Sequence, residues 1–156
     1  MTKKLKPEAS ELKSHIGYRL RAVSNAVSQA FARKLAASDV TVAEWVILRE
    51  MYSTQGHTSP SNVAELTGLT RGAVSKLIDR LLNKGLVTRT ESSEDRRYQE
   101  IKLTVDAVKL VPKLARIADE NDESFFSVLP QSERENLMNT LVKLAELHKL
   151  NISPIE

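Results

Sequence analysis

Cysteine is absent from the 156 residues, which removes disulfide frameworks, thiolate metal sites, cysteine nucleophiles and thiol redox switches together. Glycine and proline are scarce at five each, so collagen-like and low-complexity architectures are excluded as well. No apolar run approaches the ~20 residues that a membrane-spanning helix requires. The basic start, Met1-Thr-Lys-Lys-Leu-Lys-Pro7, leads into no apolar segment of the signal-peptide kind. A cytoplasmic protein without a membrane partner is the expectation. Catalytic signatures are missing too. His15, His57 and His148 lack the His-x-x-x-His spacing of a metal site, and neither a glycine-rich phosphate loop nor a nucleophile elbow occurs. The reading is therefore a non-enzyme that needs no metal or cofactor.

What remains is a globular composition, 41% apolar and 28% charged, in a length that suits one domain or a compact pair. The net charge of +3 is a mild hint of a polyanionic partner, and its distribution says more. Residues 1–69 carry nine basic and six acidic side chains, residues 70–104 eight and five, and residues 105–156 six and nine. The middle segment is thus the most basic per residue, and the last third is acidic.

From Pro7 to Ser38 the apolar residues Leu12, Ile16, Leu20, Val23, Val27, Phe31 and Leu35 follow one helical stripe. Thr41 with Glu44 reads as a capping box opening a second helix with Trp45, Ile47, Leu48 and Met51, ending near Gly56. Trp45 sits among aliphatic residues at helical spacing and reads as a core aromatic. Ser59 caps a third helix with Pro60 in its first turn, and Gly68 stops it. Thr70 opens a fourth, whose Val74, Leu77, Ile78, Leu81 and Leu82 share a face, and Gly85 ends it. Short β-like runs follow, Leu86–Thr90 and then Ile101 and Leu103, joined by the polar tip Ser92–Arg97. Thr104 begins a long helix through Phe126 with an expected kink at Pro112, and Gln131–Leu150 forms the last, with Leu137, Leu141, Leu144 and Leu147 on one side.

A helix-turn-helix needs a small residue at the helix crossing, a glycine in the turn and an apolar residue docking the second helix. Ala64, Gly68 and Val74 supply these at offsets of four and ten. The hairpin after it makes the motif winged. At ~100° per residue the inward set Val74, Leu77, Ile78 and Leu81 leaves Gly72, Lys76, Asp79, Arg80 and Asn83 facing away. At the N-terminal end, which normally enters the major groove, Thr70, Arg71, Gly72, Ser75 and Lys76 have the reach. Arginine and lysine donate to guanine O6 and N7, serine serves several bases, and glycine permits close approach. Arg80 lies further along the same face, and Ser59, Ser61 and Asn62 at the start of the preceding helix complete the candidate surface. In the wing, Ser93, Asp95, Arg96 and Arg97 place two guanidiniums on a hairpin tip, suited to the narrow, negative minor groove.

These residues resemble the MarR family of winged-helix transcriptional regulators. The likeness covers almost the whole chain: a long first helix, Thr70–Arg89 ending Leu-Ile-Asp-Arg-Leu-Leu-Asn-Lys-Gly-Leu-Val-Thr-Arg, the wing Glu94-Asp95-Arg96-Arg97, the exit Lys102-Leu103-Thr104, and two C-terminal helices. The resemblance implies an all-α fold with a small β-hairpin wing, in which 39–104 form the winged helix-turn-helix and 1–38 with 105–156 form a dimerisation region. It implies a homodimer on pseudopalindromic double-stranded DNA, a recognition helix at Thr70–Asn83, an aspartate-arginine wing in the minor groove, and in many members a small, often anionic aromatic effector bound between dimer base and DNA-binding lobe. A repressor released by such a compound is the expected function. Pro130 departs from the pattern, since family members often have serine or threonine capping the sixth helix.

The apolar stripes of the first and last helices also exceed what the small lobe between them covers, an independent argument for a second copy. For the effector, His15, Tyr18, Arg19 and Arg49 form a candidate anion pocket, with a packed or solvent-facing role equally open for each. The alternative to a DNA reader is a winged-helix protein-interaction module with no operator, and salt-dependent duplex binding separates the two.

Overall fold

The computed structural model describes residues 8–91 and 99–156. Its first helix, α1, spans Ile16–Ala36, and a separate 3-10 turn occupies Leu12–Ser14. The continuous helix expected from Pro7 is thus broken at His15, which is extended (ψ 126°). The Ser14 hydroxyl donates to the Glu11 carbonyl at 2.6 Å, a local bond that competes with helix continuation. Leu12 and Ile16 are 64% and 85% exposed, so little packing against the described residues rewards a longer helix.

The second helix, α2 (Val42–Ser53), starts at the expected capping box: Thr41 Oγ1 accepts from the Glu44 N–H and Glu44 Oε2 accepts from the Thr41 N–H. A two-residue strand β1 (His57–Thr58) leads into α3 (Pro60–Thr67), whose cap Ser59 accepts from the Asn62 N–H. Gly68 takes φ +70° between α3 and α4 (Arg71–Asn83), a conformation only glycine adopts without strain. Strands β2 (Val87–Glu91) and β3 (Gln99–Leu103) form the hairpin, and β1 adds to its far side in the order β1-β3-β2. Two residues are too few to show a period-two pattern, which is why β1 was not anticipated.

Thr104 caps α5 (Val105–Phe126), which runs as one element through Pro112, and its hydroxyl also donates to the Gly85 carbonyl at 2.7 Å. The last helix, α6 (Gln131–Leu147), stops three residues before the expected Leu150. Lys149 takes φ +52°, its N–H bonds the Glu146 carbonyl, and the Leu150 N–H reaches the Ala145 carbonyl at 2.9 Å. That is a Schellman ending made without glycine, so composition did not reveal it.

The core lies inside the winged lobe. Ile47, Leu48, Met51, Val63, Val74, Leu77, Leu81 and Ile101 are fully buried there, joined by Leu35 from the end of α1 and by Ala107, Val111 and Leu114 from the first half of α5. Phe31 and Trp45 meet edge to face at 6.1 Å, at the margin of that core. Asn121 ties α1 to α5, accepting from Lys34 and donating to the Val27 carbonyl. By contrast α6 buries no residue fully and α1 only Leu35. No helix among the described residues is long and apolar enough to cross a membrane.

Candidate nucleic-acid interface

The turn between α3 and α4 is held by Thr67, whose hydroxyl donates to the Val63 carbonyl at 2.7 Å and accepts from the Leu69 N–H. Thr70 then caps α4 by accepting from the Ala73 N–H. Beneath α4, Val74, Leu77, Ile78 and Leu81 are each at most 2% exposed, so the helix is seated with one face fixed. Its other face carries Arg71, Gly72, Ser75, Lys76, Asp79 and Arg80, all exposed. A Cβ on Gly72 would meet nothing within 4 Å. The fold itself therefore does not require glycine at that position.

Two ion-pair systems set the charge of this face. Arg89 on β2 stands 3.6 Å from Asp79, offsetting the one acid of α4. Glu44, fully buried on α2, pairs with Lys84 just past α4 at 2.9 Å, while Lys84 also donates to the Asp39 carbonyl at 2.6 Å. Arg80 Nε lies 3.9 Å from Glu44 Oε1, an oxygen that has no hydrogen-bond partner among the described residues. Glu44 thus joins the start of α2 to the end of α4, a tie that no sequence motif announced. Its capping-box spacing revealed only half of its work.

Ser59 is buried with its oxygen engaged in the cap, whereas Ser61 and Asn62 are exposed at the first turn of α3. The wing residues Ser93, Asp95, Arg96 and Arg97 lie outside the described residues. The strands that carry the wing pair Glu91 with Gln99 as their outermost partners.

The four effector candidates are not brought together around one cavity. Arg49 lines a recess of about 430 Å³ between α1 and α2, with Ser24, Ser28, Phe31 and Trp45. Its guanidinium donates to Ser53 at 2.7 Å and stands 5.9 Å from the Tyr52 ring centre. His15, Tyr18 and Arg19 sit instead at the exposed start of α1, and Arg19 is turned back onto the Lys13 carbonyl at 2.9 Å. Ser24 and Ser28 escaped notice because small polar residues on an amphipathic helix carry no signal of a cavity. Ser153 and Pro154 complete the wall from beyond α6.

The MarR family model matches residues 38–97, the winged lobe. The whole fold is similar to that of the organohalide-sensing regulator RdhR bound to 2,4-dichlorophenol, at 20% identity and a TM-score of 0.78, over 98% of this chain and 95% of that one. BpsR of Bordetella bronchiseptica, whose DNA binding is regulated by 6-hydroxynicotinic acid, is 25% identical with a TM-score of 0.74, over 88% of this chain and 98% of its own. A mutant of MarR from E. coli complexed with operator DNA shares 19% identity and a TM-score of 0.72, over 87% and 99%. The MarR family model thus matches the winged lobe, and the fold is shared along nearly the full length of the chain with these transcriptional regulators.

Proposed function

We propose that this chain is a MarR-type transcriptional regulator that binds a pseudopalindromic duplex as a homodimer and represses transcription until a small anionic aromatic compound releases it. The observation that carries the DNA reading is the outer face of α4, where Arg71, Gly72, Ser75 and Lys76 stand exposed over a fully buried inner face. A rigidly seated helix presenting donors at its N-terminal end suits base-edge contacts in the major groove. Arg96 and Arg97 serve the flanking minor groove, and Ser61 and Asn62 the phosphates near the start of α3. Two copies place two such helices on half-sites about one turn, ~34–36 Å, apart. The effector reading draws on the α1–α2 recess with Arg49 at its wall, on the 2,4-dichlorophenol bound by RdhR and on the 6-hydroxynicotinic acid that regulates DNA binding by BpsR.

The test is affinity for a duplex recovered from a random-sequence pool, measured at several salt concentrations. Binding should weaken steeply with salt, as phosphate contacts demand. Lys76→Ala should relax preference at one position per half-site, costing ~1–3 kcal/mol there. Arg97→Ala should instead lower the salt slope by roughly one per contact, or two per dimer, and leave discrimination largely intact. Salt-independent binding, or none, would favour a protein-interaction module.

A further inference from the structure

After α6 the chain turns back onto the winged lobe. The Ser153 N–H donates to the Leu66 carbonyl at 2.8 Å, one of the free carbonyls at the end of α3. Ile152 lies over the turn, close enough that a Cβ on Gly68 would stand 3.2 Å from its Cδ1. Ser153 and Pro154 wall the α1–α2 recess beside Trp45. Ile155 and Glu156 wall a second recess, of about 550 Å³, together with Ala73, Lys76 and Arg80 of α4. Five residues, Ile152–Glu156, therefore lie along the end of α3, the turn and the flank of α4.

The attachment is slight: one backbone hydrogen bond between these segments, and an isoleucine still 58% exposed. Such a segment opens readily, at far less cost than unfolding the lobe. Its charge also bears on the helix's use, because Glu156 shares a recess with Lys76 and Arg80, whose charge outweighs that of Asp79 in the same wall. We propose that Ile152–Glu156 is an autoinhibitory strap, which when docked fastens the α3–α4 turn and sets Glu156 in the recess that Lys76 and Arg80 line, so that DNA must displace it to engage α4. The proposal rests on the reading of α4 as the DNA-contacting helix. Phosphate and Glu156 compete for the same cations, and apparent affinity falls by the fraction of molecules with the strap open.

Three full-length variants separate the contributions. Ser153→Pro deletes the donor to Leu66, Ile152→Asp removes the apolar contact at Gly68, and Glu156→Gln removes only the charge. Trp45, the single tryptophan, lines the recess that the strap walls and reports docking without DNA. In Ser153→Pro and Ile152→Asp the Trp45 emission should shift to longer wavelength, and affinity for the pool-selected duplex should rise about three- to tenfold at low salt. Glu156→Gln should leave the emission unchanged and raise affinity by less, with the gain fading as salt increases. Unchanged affinity in all three, or weaker binding on release of the strap, overturns the proposal. If the natural chain binds no duplex while Trp45 still shifts, the DNA reading has failed and inhibition falls with it, which distinguishes that failure from a strap that is docked but inert.

Discussion

Glu44 shows how much one side chain decides. It is fully buried, and its side-chain oxygen accepts from the Thr41 N–H at 3.0 Å and from Lys84 at 2.9 Å. Truncating a partner of a buried pair costs more than the pair itself contributes, since the remaining charge stays desolvated. Lys84→Met should destabilise the fold by about 3 kcal/mol, measured by urea unfolding, and Glu44→Gln added to it should recover part of that loss. No recovery in the double variant would mean that Lys84 acts mainly through the Asp39 carbonyl. The helix caps at Thr41, Ser59, Thr70 and Thr104 were legible because capping is local chemistry within three residues. The Glu44–Lys84 pair spans forty residues and was not.

At the scale of elements, α4 has two faces with opposite requirements. Its inner residues are interlocked with the core, whereas Gly72 on the outer face is held by nothing in the fold. Glycine inside a helix costs ~0.5–1 kcal/mol relative to alanine. Gly72→Ala should therefore raise stability by about that amount while weakening duplex binding, if the backbone there approaches DNA closely. Thermal unfolding and duplex titration on the same sample check both halves, and stronger binding would remove Gly72 from the interface. Periodicity located α4 well because both of its faces are settled by its own sequence. It overran α1 and α6, whose stripes continue past the points where the backbone departs from helix, at His15 and at Lys149.

For the whole molecule, the unpaired apolar surface is the dominant fact. Ile16 is 85% exposed and Leu147 69%, and Leu20, Val23, Leu141 and Leu144 are exposed as well. Isolated apolar residues on a surface are ordinary, but stripes on two helices are not. Light scattering across dilution should show a dimer at micromolar concentrations, and Leu144→Asp should shift it towards monomer; a monomer at every concentration defeats the claim. The same region holds Asp122, whose carboxyl is raised above its ordinary 3.8 by desolvation and then by Asp119. The folded chain thus binds that proton more tightly than the unfolded one. The contribution is fully present below about pH 3.8 and is lost as pH rises through the raised value. Asp122→Asn should raise the thermal midpoint near neutral pH and leave it unchanged near pH 3, and a lowered midpoint at neutral pH would contradict this.

Local pattern alone determined the helix order, the caps, the turn at Gly68 and the wing-bearing hairpin, because each depends on residues within about one or two turns of one another. The outward face of α4 followed from helical periodicity. The tertiary structure decided what depends on distant meetings. It showed that β1 pairs with β3, that Glu44 ties α2 to α4, that Arg49 lines a recess apart from His15, Tyr18 and Arg19, and that Ile152–Glu156 returns across the winged lobe. None of these has a period or a spacing to betray it. Each depends on which surfaces the packed core brings together, and that is a property of the fold rather than of any one segment.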